Sequence, residues 1–529
     1  MGGYLRGWAA LALLLLALCT SVPAVAQKQG GILKMYSIDS PPSMSILEEA
    51  TISSQAPLMG VFNNLVVFDQ HVRQNSLASI VPDLATGWSW SEDGTAVTFS
   101  LRHGVKWHDG QKFTAKDVQC TWDLILEKST EKLRFNPRKS IYRNLDQVTT
   151  SGDYEVIFHL KRPQPQFLML LAAGFSAIYP CHVPPAQMRQ HPIGTGPFKF
   201  VEFKPNEDIK VTRNPDYWKP GLPYLDGIEY TIIRDRSTAN LALVSGNVDM
   251  TFPYILTMPL VKQLHGQMPQ AICEVTPLGG VNTHLLVNRD KPPFDNADLR
   301  RAMALSLDRK AFIDILGDGQ GDIGGVLQPP PDGLWGMAPD MLKQLPGYDL
   351  DVKKNRAQAR QIMEKLGYGP DKRLPIKVST RDVPAYRDPA VILIDQLKEV
   401  YFDGELEQIE TSRYFPKIMR KEFTIGLNLQ TSGPEALDLF YGCGASLNWD
   451  GYCSPEVDKL LDQQSMEADE GRRKELLWAI ERKLAEDVAR PIIFYGRAGT
   501  CWQPYVKGLT MMVNSIFSGN RREDTWLDK

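Results

Sequence analysis

Apolar and polar positions alternate along several short stretches of the chain and elsewhere recur every three to four residues, which predicts strands interleaved with helices. Thr95 to Leu101 alternates into a strand, flanked by the turn formers Asp93-Gly94 and Asp109-Gly110. Thr114, with Asp117 three residues on, has the spacing of a capping box and predicts a helix start. Ile32 to Ile38 reads as a first strand running into Asp39-Ser40-Pro41-Pro42-Ser43-Met44. Prolines stop strands, so this segment is a loop at the strand's carboxyl edge, where open α/β sheets place ligands. Val156 to Leu160 is another strand.

In the second half Asp295 is placed to cap a helix with Asp298 in its first turn, Asp308 to cap another that Gly317 ends, and Asp351 to Leu366 forms a third that stops at Gly367. Pro375–Thr380, Ala390–Val400 and Leu406–Glu410 read strand, helix, strand, the pattern of a right-handed crossover in a parallel sheet. Phe423 to Leu429 adds a strand. Ser454-Pro455 opens a helix, Leu476 to Val488 marks the next, and Pro491 to Tyr495 is a returning strand.

Met1 to Ala26 carries one charge, Arg6, ahead of an apolar run and ends in Ala24-Val25-Ala26. That is the build of a secretory signal peptide cleaved after Ala26. Cys19 admits a lipid anchor, but Leu18 before it is bulky where such signals carry a small residue. The 529 residues, 43% of them hydrophobic, suffice for more than one core. A net charge of −3 gives no reason to expect nucleic acid or an anionic membrane as partner.

Six cysteines remain beyond the leader, an even number for an oxidising compartment. Cys443 and Cys453 are the expected pair because they close a short loop. The pairing of Cys120, Cys181, Cys273 and Cys501 stays open, with buried free thiols the simplest alternative. Neither loop cysteine has the C-x2-C or nearby His spacing of a zinc site, so no metal or cofactor is expected.

Several blocks, in order, closely resemble the family 5 extracellular solute-binding proteins, receptors that feed peptide, nickel and opine ABC importers. They are Pro82–Trp88, Phe99–Gly110 with Phe113–Val118, Ile193–Phe198, Arg213–Trp218, Ser245–Asp249, Pro292–Ala302 with Leu307–Arg309, and Glu523–Leu527. The last matches the family's final helix-and-tail pattern. The glycines of Ile193–Phe198 lack a following G-K-[ST], so they read as a tight turn and not a phosphate loop.

The resemblance implies an α/β, two-lobed periplasmic-binding-protein fold of the type II, three-subdomain class, with mixed sheets and a hinge cleft. On it, residues 27–70, 190–280 and 492–529 form the core of lobe I, 71–189 an inserted subdomain and 281–491 lobe II. It further implies a monomeric periplasmic protein that closes on a small solute, most simply a peptide, and docks on an inner-membrane ABC permease. An opine, sugar or metal chelate, or a sensory or cell-wall-peptide role, are the alternatives on the same scaffold.

In peptide-binding relatives a carboxylate after a strand pairs with the ligand's α-amino group. The matching segment here, Gln430 to Asp438, departs from that pattern: the acid would fall near Ser432 or Gly433. Thr431, Glu435 and Asp438 are therefore candidates from this segment, with Trp449 on the cysteine loop, Tyr495 on the returning strand, and Ser43 and Met44 after the first strand. A hydrolase is the distant alternative. No G-x-S-x-G or H-E-x-x-H occurs, His103 and His108 are misplaced for one helix face, and Asp109 and Asp117 are explained by turn and cap chemistry.

Overall fold

The computed structural model describes residues 27–37 and 39–529; the expected leader and Cys19 lie outside the described residues. Alternation becomes structure in the strand Ala96–Leu101, whose Val97, Phe99 and Leu101 are buried while the positions between them are not. It sits in a four-stranded antiparallel sheet in the order 85–90, 96–101, 155–160, 145–150. The helix Ala115–Ile125 packs on this sheet, setting Trp122 edge-on to Phe158 at 4.9 Å. Its cap forms as expected: the Thr114 amide donates to Asp117 Oδ2 at 2.9 Å. The other Asp117 oxygen accepts from the Cys181 amide, beside a Cys120–Cys181 disulfide.

A second sheet orders its strands 32–37, 227–232, 208–213, 198–204, and shares one buried core with the antiparallel sheet. The Ile193–Phe198 block is a close-contact turn: a Cβ on Gly194 would stand 1.9 Å from the Val61 carbonyl oxygen. Only glycine fits there, and the segment is a structural lock.

A third, six-stranded mixed sheet forms a separate body with its own cores, in the order 321–322, 492–502, 272–287, 425–431, 374–381, 402–409. The expected crossover is present, with Leu374–Arg381 and Phe402–Ile409 parallel and the helix Pro384–Lys398 between them. The returning strand is longer than its apolar run suggests, Ile492–Trp502, because it pairs along Ile272–Val287, a strand the sequence reading does not identify. These two strands run from one body to the other. Their ladder is interrupted between Pro277 and Asn282, where Gly279 and Gly280 both have positive φ.

Two expectations are corrected. The helix Ala297–Leu305 is capped by Asn296, whose Oδ1 accepts from the Asp298 amide at 2.8 Å, and not by Asp295. Residues 523–527 form no helix; Trp526–Leu527 is a short strand on Val506–Lys507. Cys443–Cys453 is bonded as expected, and the remaining four cysteines are not free thiols, since Cys273–Cys501 joins the two long strands.

Candidate functional site

The two bodies enclose a cavity of about 350 Å³, at the small end of ligand pockets. One wall comes from Asp39, Thr51 to Ser53 and Phe252 to Ile255, with Arg138, Met169 and Phe175 beside it. The opposite wall is Arg381, Phe415, Asn428 to Gly433, Glu435 and Trp449, and the chain's last segment contributes Asn514 to Ser518. Most of this surface is apolar or aromatic.

The second wall follows from a splay between parallel strands. Ile425–Thr431 pairs with Leu374–Arg381 only at Val378–Ile425 and Ser379–Gly426. Beyond that point each strand stays paired on its far side, to Val281 and to Ile409 respectively. The facing edges therefore diverge at their carboxyl ends, and from Asn428 to Thr431 the main-chain groups pointing away from the paired strand have no ladder partner. Such an edge accepts an extended backbone by strand addition.

Charge crosses the cavity in one place. Asp39, just past the first strand, pairs with Arg381 at the end of the crossover strand. Thr411 Oγ1 donates to both Asp39 oxygens at 2.9 and 3.0 Å, and Arg381 donates to the Tyr386 hydroxyl at 2.6 Å. On the flank, Arg143 stands 2.8 Å from Asp438, and Asp462 receives both Arg143 and Arg162 at 2.5 Å. Ser140 and Ser446 join the same two bodies, the Ser446 amide donating to Ser140 Oγ at 2.9 Å.

Of the residues expected from sequence, Thr431, Glu435 and Trp449 line the cavity. Glu435 is paired to the buried Arg473 at 3.0 Å. The Trp449 ring packs near Phe415 at 5.7 Å, and its indole N–H is buried without a partner. The other four do not line it. Ser43 donates to Glu49 at 2.6 Å and Met44 is fully buried in the first core, its amide donating to the Arg189 carbonyl. Asp438 belongs to the flank contact with Arg143; burial raises its carboxyl to about 6 against the opposing pull of that guanidinium. Tyr495 is buried behind the wall, its hydroxyl donating to the Gly325 carbonyl at 2.9 Å.

Sequence reading missed Asp39, Arg138 and Arg381. The signal for Asp39 is the proline loop itself, which it opens four positions before Ser43. For Arg381 it was a charged residue closing a predicted parallel strand, the usual place for a ligand group. Arg138 lies in no periodic segment.

The residues considered for catalysis have other work. His103 stacks on Tyr154 at 3.8 Å, and His108 joins Gly194 and Gly196, its imidazole lowered to about 4 by burial. Asp109 contacts His182 at 2.7 Å. Among the described residues no helix is long and apolar enough to cross a membrane.

A sequence profile of the bacterial extracellular solute-binding proteins, family 5 Middle, matches residues 79–448. The oligopeptide-binding protein AppA of Bacillus subtilis is 27% identical over 497 residues, 88% of this chain and 87% of that protein. Di/tripeptide-binding protein 1 of Pseudomonas aeruginosa is 25% identical over 482 residues, 84% and 85% respectively. The structure of AppA from Bacillus subtilis in complex with a nonapeptide superposes with a TM-score of 0.80 at 24% identity, covering 95% of this chain and all of that one. That likeness shows the two-lobed α/β fold with its cleft.

Proposed function

The chain belongs to the bacterial extracellular solute-binding proteins of family 5, and from that premise we propose that it binds short peptides in its cleft and hands them, unaltered, to an ABC importer. The observation that carries this reading is the unpaired edge Asn428–Thr431, which faces an apolar cavity closed by both bodies. Main-chain recognition gives affinity for any extended peptide, and the aromatic walls favour apolar side chains. The names of AppA and of the di/tripeptide-binding protein support the same class.

In this reading the protein acts as a monomer in the periplasm after loss of residues 1–26, and docks on a permease in its closed form. Residues 27–70, 190–280 and 492–529 with the inserted 71–189 make one jaw, and 281–491 the other. The hinge is the interrupted ladder at Gly279-Gly280. Ligand contacts made by both jaws favour closure, and no bond in the ligand is broken. Adding a mixture of apolar di- to pentapeptides is expected to raise the melting temperature and reduce the radius of gyration, since binding only the closed folded state stabilises it. A panel that leaves both unchanged overturns the peptide assignment.

A further inference from the structure

The charges around the cavity are unequally matched. Among the described residues three arginines line the cavity. Arg381 is paired with Asp39 and Arg490 with Asp450 at 2.7 Å, whereas Arg138 contacts no carboxylate. Its Nη2 donates only to main-chain carbonyls, those of Ile46 at 3.4 Å and of Glu49, while its Nε is buried with no partner.

The nearby acids are already engaged. Glu48 is held by Arg189 at 2.7 and 2.9 Å, and the Glu49 carboxylate by Ser43 and by Arg134 at 3.1 Å. Three guanidiniums therefore share two carboxylates, and Arg138 is the surplus cation. It is 3% exposed and stacked 3.8 Å over the Phe175 ring at the cavity wall. Burial pulls its guanidinium down to about 10, against the raising pull of Tyr142, of the nearby Glu49 carboxylate and of Tyr179. A buried cation that shares its anion and touches no carboxylate is costly, and a ligand carboxylate supplies the contact. The two cavity acids among the described residues, Asp39 and Glu435, each already face an arginine, so an ammonium group would meet only carboxylates whose charge is offset.

Resting on the peptide reading above, we infer that Arg138 anchors the ligand's carboxylate and that no ammonium partner is built into the cavity. The ligand class is then apolar peptides recognised through the carboxyl end and indifferent to a blocked amino end.

Calorimetric titration with trileucine in four forms tests this: free, N-acetylated, C-amidated and blocked at both ends. Acetylation is expected to change Kd by less than about threefold and amidation to weaken it by at least about tenfold, roughly the weight of a charge-assisted pair. Arg138→Met should erase the difference between acid and amide, and Arg138→Lys should keep part of it. Binding abolished by acetylation but not by amidation overturns the inference, even if both variants fail to fold. If no form binds, the peptide reading fails, and 4-phenylbutyrate against 4-phenylbutylamine decides the anchor separately. Protection against melting by the acid alone supports Arg138 as an anion site; protection by the amine, or by neither, overturns it.

Discussion

At the scale of single residues, the blocks that carry the family resemblance do not touch the cavity: Pro292–Arg309 packs into a core of the second lobe, and blocks from the first half meet the chain's end in the first. Asp83 accepts from Asn63 at 2.9 Å, from the Asn64 amide at 2.9 Å and from Arg521 at 2.9 Å, all of them buried. Tyr217 from the Arg213–Trp218 block donates to Glu523 at 2.5 Å, so three distant blocks meet in one network. Burial pushes the Asp83 carboxyl up, but Arg521, Lys219 and the amide donors outweigh it and hold it below its ordinary value. Asp83→Ala leaves Arg521 buried without its anion, and denaturant unfolding should show a loss of about 3–5 kcal/mol. Glu481 behaves oppositely. It accepts from the Leu327 and Met337 amides at 3.0 and 3.1 Å, holding the segment that brings Trp335 to the cavity, and burial raises its carboxyl from 4.5 to about 7. Between those pH values the folded chain retains a proton that the unfolded chain has lost, so stability falls as pH rises through the window. The contribution is on the order of 3 kcal/mol, and the difference between wild type and Glu481→Gln in unfolding free energy across pH 4.5 to 7 should trace it.

At the scale of elements, helices and turns were legible where a local rule decides them. Thr114, Asp308, Asp351 and Ser454 sit at their expected helix starts because capping depends on a few neighbouring atoms. Asn296 in place of Asp295 is a one-residue slip between two competent caps. The cavity was less legible because distant segments make it. Thr431 and Glu435 lie on the segment that the resemblance points to and Trp449 on the cysteine loop, whereas the Asp39–Arg381 pair joins positions 342 apart, with no local pattern to mark it. Ile272–Val287 was missed for a related reason, since its polar residues Thr276, Asn282 and Thr283 are buried by sheet partners and break the expected apolar run. Because Asp39 lies on one jaw and Arg381 on the other, their pair acts only in the closed form. Asp39→Asn is expected to enlarge the unliganded protein in solution scattering and to weaken peptide affinity on the order of tenfold, while leaving unfolding of each jaw nearly unchanged. Unchanged scattering and affinity would mean that the pair does not govern closure.

At the scale of the whole molecule, two bodies with separate cores are joined by paired strands and meet again at several charged contacts, among them Asp39–Arg381, Arg143 and Arg162 with Asp462, Arg236–Asp388 and Arg234–Glu410, with the cavity between. A body built this way gains ligand affinity by closing, and its aromatic lining with an open strand edge suits a chain-like ligand over a compact polar one. A receptor of this kind captures its ligand without chemistry. Native mass spectrometry of the protein after incubation with a defined mixture of apolar peptides addresses it most directly. One peptide per chain, released on denaturation at its original mass, is the expected result; a chain that takes up no peptide, or that returns cleaved fragments, is not such a receptor.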